Sequence, residues 1–185
     1  TALVARHIIT RTQSSLAGSL VAGCLLAASV SLSSYRQHRQ HRIVVYNTPH
    51  STHAEQILGT HYSVLATDSA YARQIAYATA PAHNAWQAWQ RQAPPTHNIH
   101  LIDGKAVLVL HHPVYYTAPT PVHTLILATP TLPPLPALLA QYTPQVIVVG
   151  NQLSHRQLQA LTEACNQKNI ALHHTATMGA YFTGD

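Results

Sequence analysis

The rhythm of apolar positions changes at residue 42. Before it lies one block: Thr12 to Tyr35, TQSSLAGSLVAGCLLAASVSLSSY, is 24 residues without a charged side chain. About 20 helical residues suffice to cross a bilayer core, so a transmembrane helix over about residues 13–35 is expected. The small residues of GSLVAG (Gly18 to Gly23) suit close helix packing in lipid. From Ile43 the apolar runs become short. IVVYNT (43–48) predicts a strand closed by Pro49, and AEQIL and HYSVLAT around Gly59-Thr60 predict a hairpin. The Ala- and Gln-rich stretch 69–92, with Trp86 and Trp89 three apart, predicts a helix broken near Pro81. NIHLIDGKAVLVLHH predicts a second hairpin about Asp103-Gly104. Further on, HTLILAT (123–129) predicts a strand, LPALLAQY a short helix, and QVIVVGN a strand buried on both faces. Ser154 to Asn169 predicts a helix opened by a Ser154/Gln157 capping box, with Leu158, Leu161 and Cys165 on one face. IALHHT and GAYFTG close the pattern as strands. The fold class implied is α/β, an α+β arrangement with a mixed sheet sharing one core. Two parts are expected: residues 1–42, the end of a membrane domain with its basic flank, and a folded domain at 43–185.

Charge sharpens this division. The formal net charge of +5 suggests a polyanionic partner, but its location changes the reading. Residues 1–42 hold Arg6, Arg11, Arg36, Arg39 and Arg42 and no acid, whereas residues 43–185 hold five basic and five acidic residues. A neutral domain gains little from releasing counterions off a phosphate backbone. The run RQHRQHR (36–42) starts where the apolar block stops, so Arg36, Arg39 and Arg42 are expected to meet lipid headgroups or, alternatively, a nucleic-acid backbone. Cys24 and Cys165 form no disulfide or zinc pattern.

Fifteen histidines invite a search for metal ligands. The stretch HSTHAEQILGTHYSVLATDS (50–69) holds three of them with Glu55 and Asp68. On a strand, residues three apart such as His50 and His53 point to opposite faces, as do His61 and Asp68. Surface and edge-strand polar residues are therefore the expectation here. His111-His112 and His173-His174 each end a strand, and neighbours on a strand alternate faces; a shared metal would need the two strand ends to meet. His97, His100 and Asp103 straddle a hairpin and read as exposed. Trp86 and Trp89 could stack bases, but at helical spacing they read as core or membrane-interface residues. No metal is expected; were one held, its ligands would come from His50, His53, Asp68, His111, His112, His173 and His174. No catalytic residue is assigned.

The order of these phrases resembles the C-terminal region of the ComEC family of competence proteins. IVVYNTPHSTHAEQILGTHYSVLATDS resembles its start and HTLILATPTLPPLPALLAQYTPQVIVVGNQLSHRQLQALTEACNQKNIALHHTATMGAYF its end. Pro144, Val146 to Val149, Thr177, Gly179 and Ala180 sit where that family has P-x-x-V-I-I and T-x-x-G-A. The resemblance implies a polytopic inner-membrane DNA-uptake channel, its C-terminal domain a metallo-β-lactamase-like αββα sandwich. Active members of that superfamily carry D-x-G, H-x-H-x-D-H and H-H-G around two metals. Here Asp68 matches the early aspartate, Ala70 replaces the glycine, ATPT (128–131) follows HTLIL, and no H-x-H-x-D-H occurs. The resemblance thus implies a truncated, degenerate half of such a sandwich, preceded by one transmembrane helix and not an enzyme. Its partners would be membrane lipid, the remainder of the channel and single-stranded DNA, at the bacterial inner membrane with the soluble domain periplasmic. Two alternatives stay open: a metal-dependent nuclease or phosphodiesterase with a non-standard zinc or manganese site, and a membrane-anchored, His-rich metal-binding module.

Overall fold

A computed structural model describes residues 2–112 and 119–183, with side chains from residue 20 onward except that of Ser69. Arg6, Arg11 and Gly18 of the N-terminal segment, Pro113 and Gly184 lie outside the described residues or side chains. The chain divides into two compact units, residues 1–39 and 40–185.

The first unit is one helix, α1 (Ala2–Arg39), whose 38 residues span about 57 Å at 1.5 Å each. Leu20, Val21, Leu25, Leu26, Val30 and Leu32 are exposed along it. It runs a turn past the apolar block, ending on Arg36, His38 and Arg39, and the two arginine cations favour a helix C-terminus. Arg39 lies over the Tyr35 ring at 5.1 Å. Among the described residues no helix is long and apolar enough to cross a membrane.

The second unit is built on two mixed sheets. The first, in the order β10-β1-β2-β3-β4, contains β1 (His41–Thr48), β2 (Ser51–Leu58), β3 (His61–Ala66), β4 (Gln90–Gln92) and β10 (Tyr181–Thr183). The second runs β5 (Ile99–Ile102), β6 (Lys105–Leu110), β7 (Thr124–Leu127), β8 (Val146–Val149) and β9 (Ala171–His174), in that order. Alternation along each strand assigns its two faces. Ile43, Val45 and Ala54 of the first sheet pack against Val107, Val109, Ile126 and Val148 of the second, forming a core between sheets. The other face of the second sheet, with Leu108, Leu125, Leu127, Ile147 and Val149, is covered by α3 (Leu135–Tyr142) and α4 (His155–Gln167). The other face of the first sheet, with Val44, Tyr46 and Ile57, meets Ala82 and Trp86 of α2 (Ala72–Trp86). A short α5 (Thr175–Met178) precedes β10. The layers therefore run helix, sheet, sheet, helix. The expected half-sandwich is corrected: both sheets are present, each with helices on its outer face.

Three further expectations change. The predicted helix at 69–92 is a 3-10 turn (Ser69–Tyr71), α2 and then β4. Pro81 sits inside α2 without breaking it. Proline removes the hydrogen bond to the carbonyl four residues back and crowds that carbonyl, but Pro81 and Tyr77 both lie on the exposed face, where the carbonyl can tilt out to water. The helix stops instead at Gln87, in the left-handed region with φ 52°. Finally, β1 starts at His41, so Arg42 is a strand residue whose guanidinium stacks 5.1 Å from the Trp86 ring. RQHRQHR is thus divided between the end of α1 and the start of β1. The capping box holds as expected: Gln157 N–H donates to Ser154 Oγ, and Ser154 N–H to Gln157 Oε1.

Candidate functional site

The densest cluster of titratable groups lies between the first sheet and α2. On β2, His53 and Glu55 are two apart and share the outer face, toward which α2 turns Ile75, Thr79 and His83 at intervals of four. Tyr46, directly opposite His53 on β1, completes the group. The Glu55 carboxylate accepts three hydrogen bonds: His53 Nε2 donates at 3.0 Å, Tyr46 OH at 3.0 Å and His83 Nε2 at 2.7 Å. Glu55 and His53 are each 2% exposed. Burial alone raises a carboxyl pKa, but the bonds from His53 and His83 outweigh it and hold Glu55 below the ordinary glutamate range. Burial, then the Glu55 charge, holds the Tyr46 phenol well above its usual value, so it remains a donor.

Because both rings donate through Nε2, the second ring nitrogen is the one left over. His53 Nδ1 is buried with no hydrogen-bond partner among the described residues. A cavity of about 260 Å³ adjoins the cluster, lined also by Tyr62, Val64, Ile75, Thr79 and Arg91. The Tyr62 ring lies 4.2 Å from that of His83. With its carboxylate committed to three donors on two strands and a helix, the cluster ties α2 to the sheet. The expectation of surface and edge-strand residues fails for His53 and Glu55: β2 is an interior strand and both are buried.

The other candidates are dispersed. His50 sits exposed in the β1–β2 turn at φ 57°, its ring 6.2 Å from that of Tyr71. Asp68 is an exposed cap, accepting the Ala70 N–H at 3.0 Å. His111 and His112 follow β6, while His173 and His174 end β9. β7 and β8 stand between those strands, so three sheet spacings, about 14 Å, separate the two pairs. They do not meet. Burial, then the neighbouring histidine, lowers the pKa of His111 and of His174. His173 Nε2 donates to the Gly179 carbonyl at 3.0 Å. His100, expected exposed, is buried with a lowered pKa, from burial and then His41 and His97. Arg36 is exposed, as are His97 and Asp103. Trp89, expected on the helix with Trp86, lies beyond its end and is 62% exposed. Among the described residues no group of three or more His, Cys, Asp or Glu side chains is placed to hold a metal ion.

The strand end after HTLIL is closed by uncharged groups. Gln152 Nε2 donates to the Leu127 carbonyl at 2.7 Å, and Thr52 Oγ1 donates to Gln152 Oε1. Thr129 is buried and its hydroxyl donates to the Thr131 carbonyl at 3.1 Å. Gly150 faces this network so closely that a Cβ there would stand 2.6 Å from Gln152 Oε1 and 2.9 Å from the Ser51 carbonyl.

Sequence reasoning weighed His53 against His50 and missed its partnership with Glu55 and His83. The period-two spacing of 53 and 55 and the period-four spacing of 75, 79 and 83 were the available signals. Comparison with curated proteins and with solved structures yields no match for the chain. Residues 43–183 match the family model described as the ComEC C-terminal domain, and this match spans three quarters of the chain, with strands β1 to β10 almost entirely inside it. The chain belongs to the ComEC family, of which it carries the C-terminal domain.

Proposed function

We propose that this chain is the C-terminal part of a DNA-uptake protein of the bacterial inner membrane, its folded domain a non-catalytic, structural or DNA-contacting element of the channel. In this reading the domain keeps a metallo-β-lactamase-like layered scaffold without the metal chemistry. One observation carries it. After HTLIL the chain runs on as ATPT, and there Thr52 Oγ1 bonds Gln152 while Gln152 Nε2 and the Thr129 hydroxyl donate to main-chain carbonyls. Hydroxyls and amides committed in this way offer neither the imidazoles nor the carboxylates that a two-metal hydrolytic site uses.

In the same reading α1 spans the membrane and the domain faces the periplasm. The 24 uncharged residues, with arginines on both sides, and the exposed leucines and valines of α1 support the span. Its abundance of Ser, Gly and Ala lowers its mean hydropathy below that of a lone anchor. Such residues suit a helix packed among other membrane helices. The test is to dialyse the purified chain against zinc and manganese, count bound metal by mass spectrometry, and incubate it with single-stranded DNA. In parallel, residues 43–183 are deleted in the host and transformation frequency is measured. Metal well below one ion per chain, uncut DNA and lost transformation are expected. One or two tightly held ions with DNA cleavage would overturn the non-catalytic reading, and unchanged transformation would overturn the uptake role.

A further inference from the structure

His100 is buried without a partner. Strand alternation turns His100 and Ile102 of β5 inward and leaves Ile99 and Leu101 outside. Ile102 joins the apolar core between the sheets, and His100 lies at its rim, 7% exposed. Among the described residues no hydrogen bond reaches its imidazole. A buried polar ring left unbonded is costly. Yet its nitrogens are not among the atoms sealed from solvent. They open onto a cavity of about 230 Å³ lined from both sheets: Leu65 of β3, Val109 of β6, His111 just past β6, and His97 and Asn98 from the segment before β5. The chemistry of this lining is one-sided. It offers three imidazoles and an amide, with no carboxylate and no lysine or arginine. His41 of β1 and His97 both act against a proton on His100, and His112 does so on His111; no carboxylate offsets them at either ring. Asp103 and Lys105 are exposed at the β5–β6 turn, outside the lining.

We propose that this cavity binds a phosphate-class oxyanion, which accepts hydrogen bonds from His97, His100, His111 and Asn98 and draws a proton from solvent onto His100. Among the described residues no three such groups converge on a point where a metal ion would sit. A polyatomic anion presents several oxygens, each able to accept from a different donor, so it bridges rings that a single ion does not. It also supplies the negative charge that the lining lacks. In the free cavity burial, then His41 and His97, lowers the pKa of His100, so the ring is neutral at neutral pH. An anion beside it reverses that balance, because the imidazolium then makes charge-assisted bonds about twice as strong as neutral ones. Binding and proton uptake are therefore coupled, and binding tightens as pH falls. His41 is already bonded to Gln56 at 2.8 Å and stands outside the lining, which leaves His100 as the buried ring to take the charge.

Sulfate is the first probe, because its own charge is constant from pH 5 to pH 8 and any pH dependence then belongs to the protein. The purified full chain is titrated calorimetrically with sulfate at pH 6, 7 and 8 in two buffers of different ionisation enthalpy, and with methyl phosphate and dimethyl phosphate at pH 6. The expected result is saturable binding at pH 6 that weakens about tenfold by pH 7, with about one proton taken up per anion. Tighter binding of methyl phosphate assigns the site to a free or terminal phosphate, and tighter binding of dimethyl phosphate to a nucleic-acid backbone; each is a form of the inference. His100→Leu should abolish the pH dependence. His97→Gln, in an exposed segment where the fold is not at risk, should weaken binding about fivefold, and the exposed His155→Gln should leave it unchanged. Circular dichroism checks that each variant is folded. No saturable binding at pH 6, or equal weakening by His97→Gln and His155→Gln, overturns the inference. So does zinc that displaces sulfate and is itself lost in His97→Gln, which would make the cavity a metal site.

Discussion

Replacing Glu55 by glutamine keeps the shape of a buried side chain and removes its charge. The carboxylate accepts from Tyr46, His53 and His83, and at 2% exposure solvent does little to screen those bonds. Hydrogen bonds to a charged group contribute about 1.5–3 kcal/mol each, neutral ones about 1. The glutamine oxygen can keep two acceptor bonds at most, and its NH₂ group meets a donor on the other side. Relief of the desolvation cost offsets part of the loss, leaving a net destabilisation of about 2–3 kcal/mol at neutral pH. For a domain of this size that lowers Tm by about 5–10 °C. The pH dependence supplies the sharper test. Glu55 is held below the ordinary glutamate value of 4.5, so its contribution is full above that value and is lost as pH falls through the lower folded-state pKa. Urea denaturation followed by circular dichroism, for wild type and Glu55→Gln from pH 7 down to pH 3, reads the difference directly. The gap should be widest at pH 7 and shrink in acid as the wild-type carboxyl takes up its proton. A gap at pH 7 below about 0.5 kcal/mol, the scatter of an ordinary surface substitution, would refute the reasoning. A gap that does not change with pH would do the same, because the charge would then carry none of it.

Other substitutions test separate parts of the fold. Gly150→Ala drives a methyl group into Thr52, Gln152 and the Ser51 carbonyl, and should cost about 1–3 kcal/mol, read as a lower urea midpoint. Ser154→Ala removes the Oγ that accepts the Gln157 N–H and leaves the bond from the Ser154 backbone N–H, and should cost about 1 kcal/mol in thermal unfolding. Burial pushes the Cys165 thiol up to about 11, so in a Cys24→Ser background maleimide should label Cys165 only after unfolding. Labelling of the native protein at neutral pH would mean that α4 opens readily.

Where a local signal had one structural outcome, the sequence was legible. Asp103-Gly104 between apolar runs made the β5–β6 hairpin, with both residues at positive φ. The run VIVV made a strand covered on both faces, because helices and the other sheet enclose it. Signals that depend on distant partners were not legible. Whether Pro81 breaks a helix depends on which face its unmet carbonyl turns to water, and that face is set by packing on β1 and β2. Trp86 and Trp89 share a helical spacing, yet the helix ends between them because Ala88 N–H closes back on the His83 carbonyl. His53 and Glu55 read as surface residues until α2 covers them from 28 positions away along the chain. The His111 and His173 pairs fail to meet for a topological reason, the insertion of β7 and β8 between their strands.

The pairing of β10 with β1 has a consequence for how this protein can go wrong. Three residues, Tyr181 to Thr183, pair with Ile43, Val44 and Val45 of the IVVY stretch of β1, reaching it from far along the chain. Ile43, Val44, Val45 and Tyr46 combine high strand propensity, no charge and complete burial. If proteolysis or a bulky C-terminal fusion strips away those three residues, β1 becomes a bare apolar edge, the kind of template on which chains add strand to strand. The short strand β10 thus serves as a safety catch against aggregation as much as a contributor to stability.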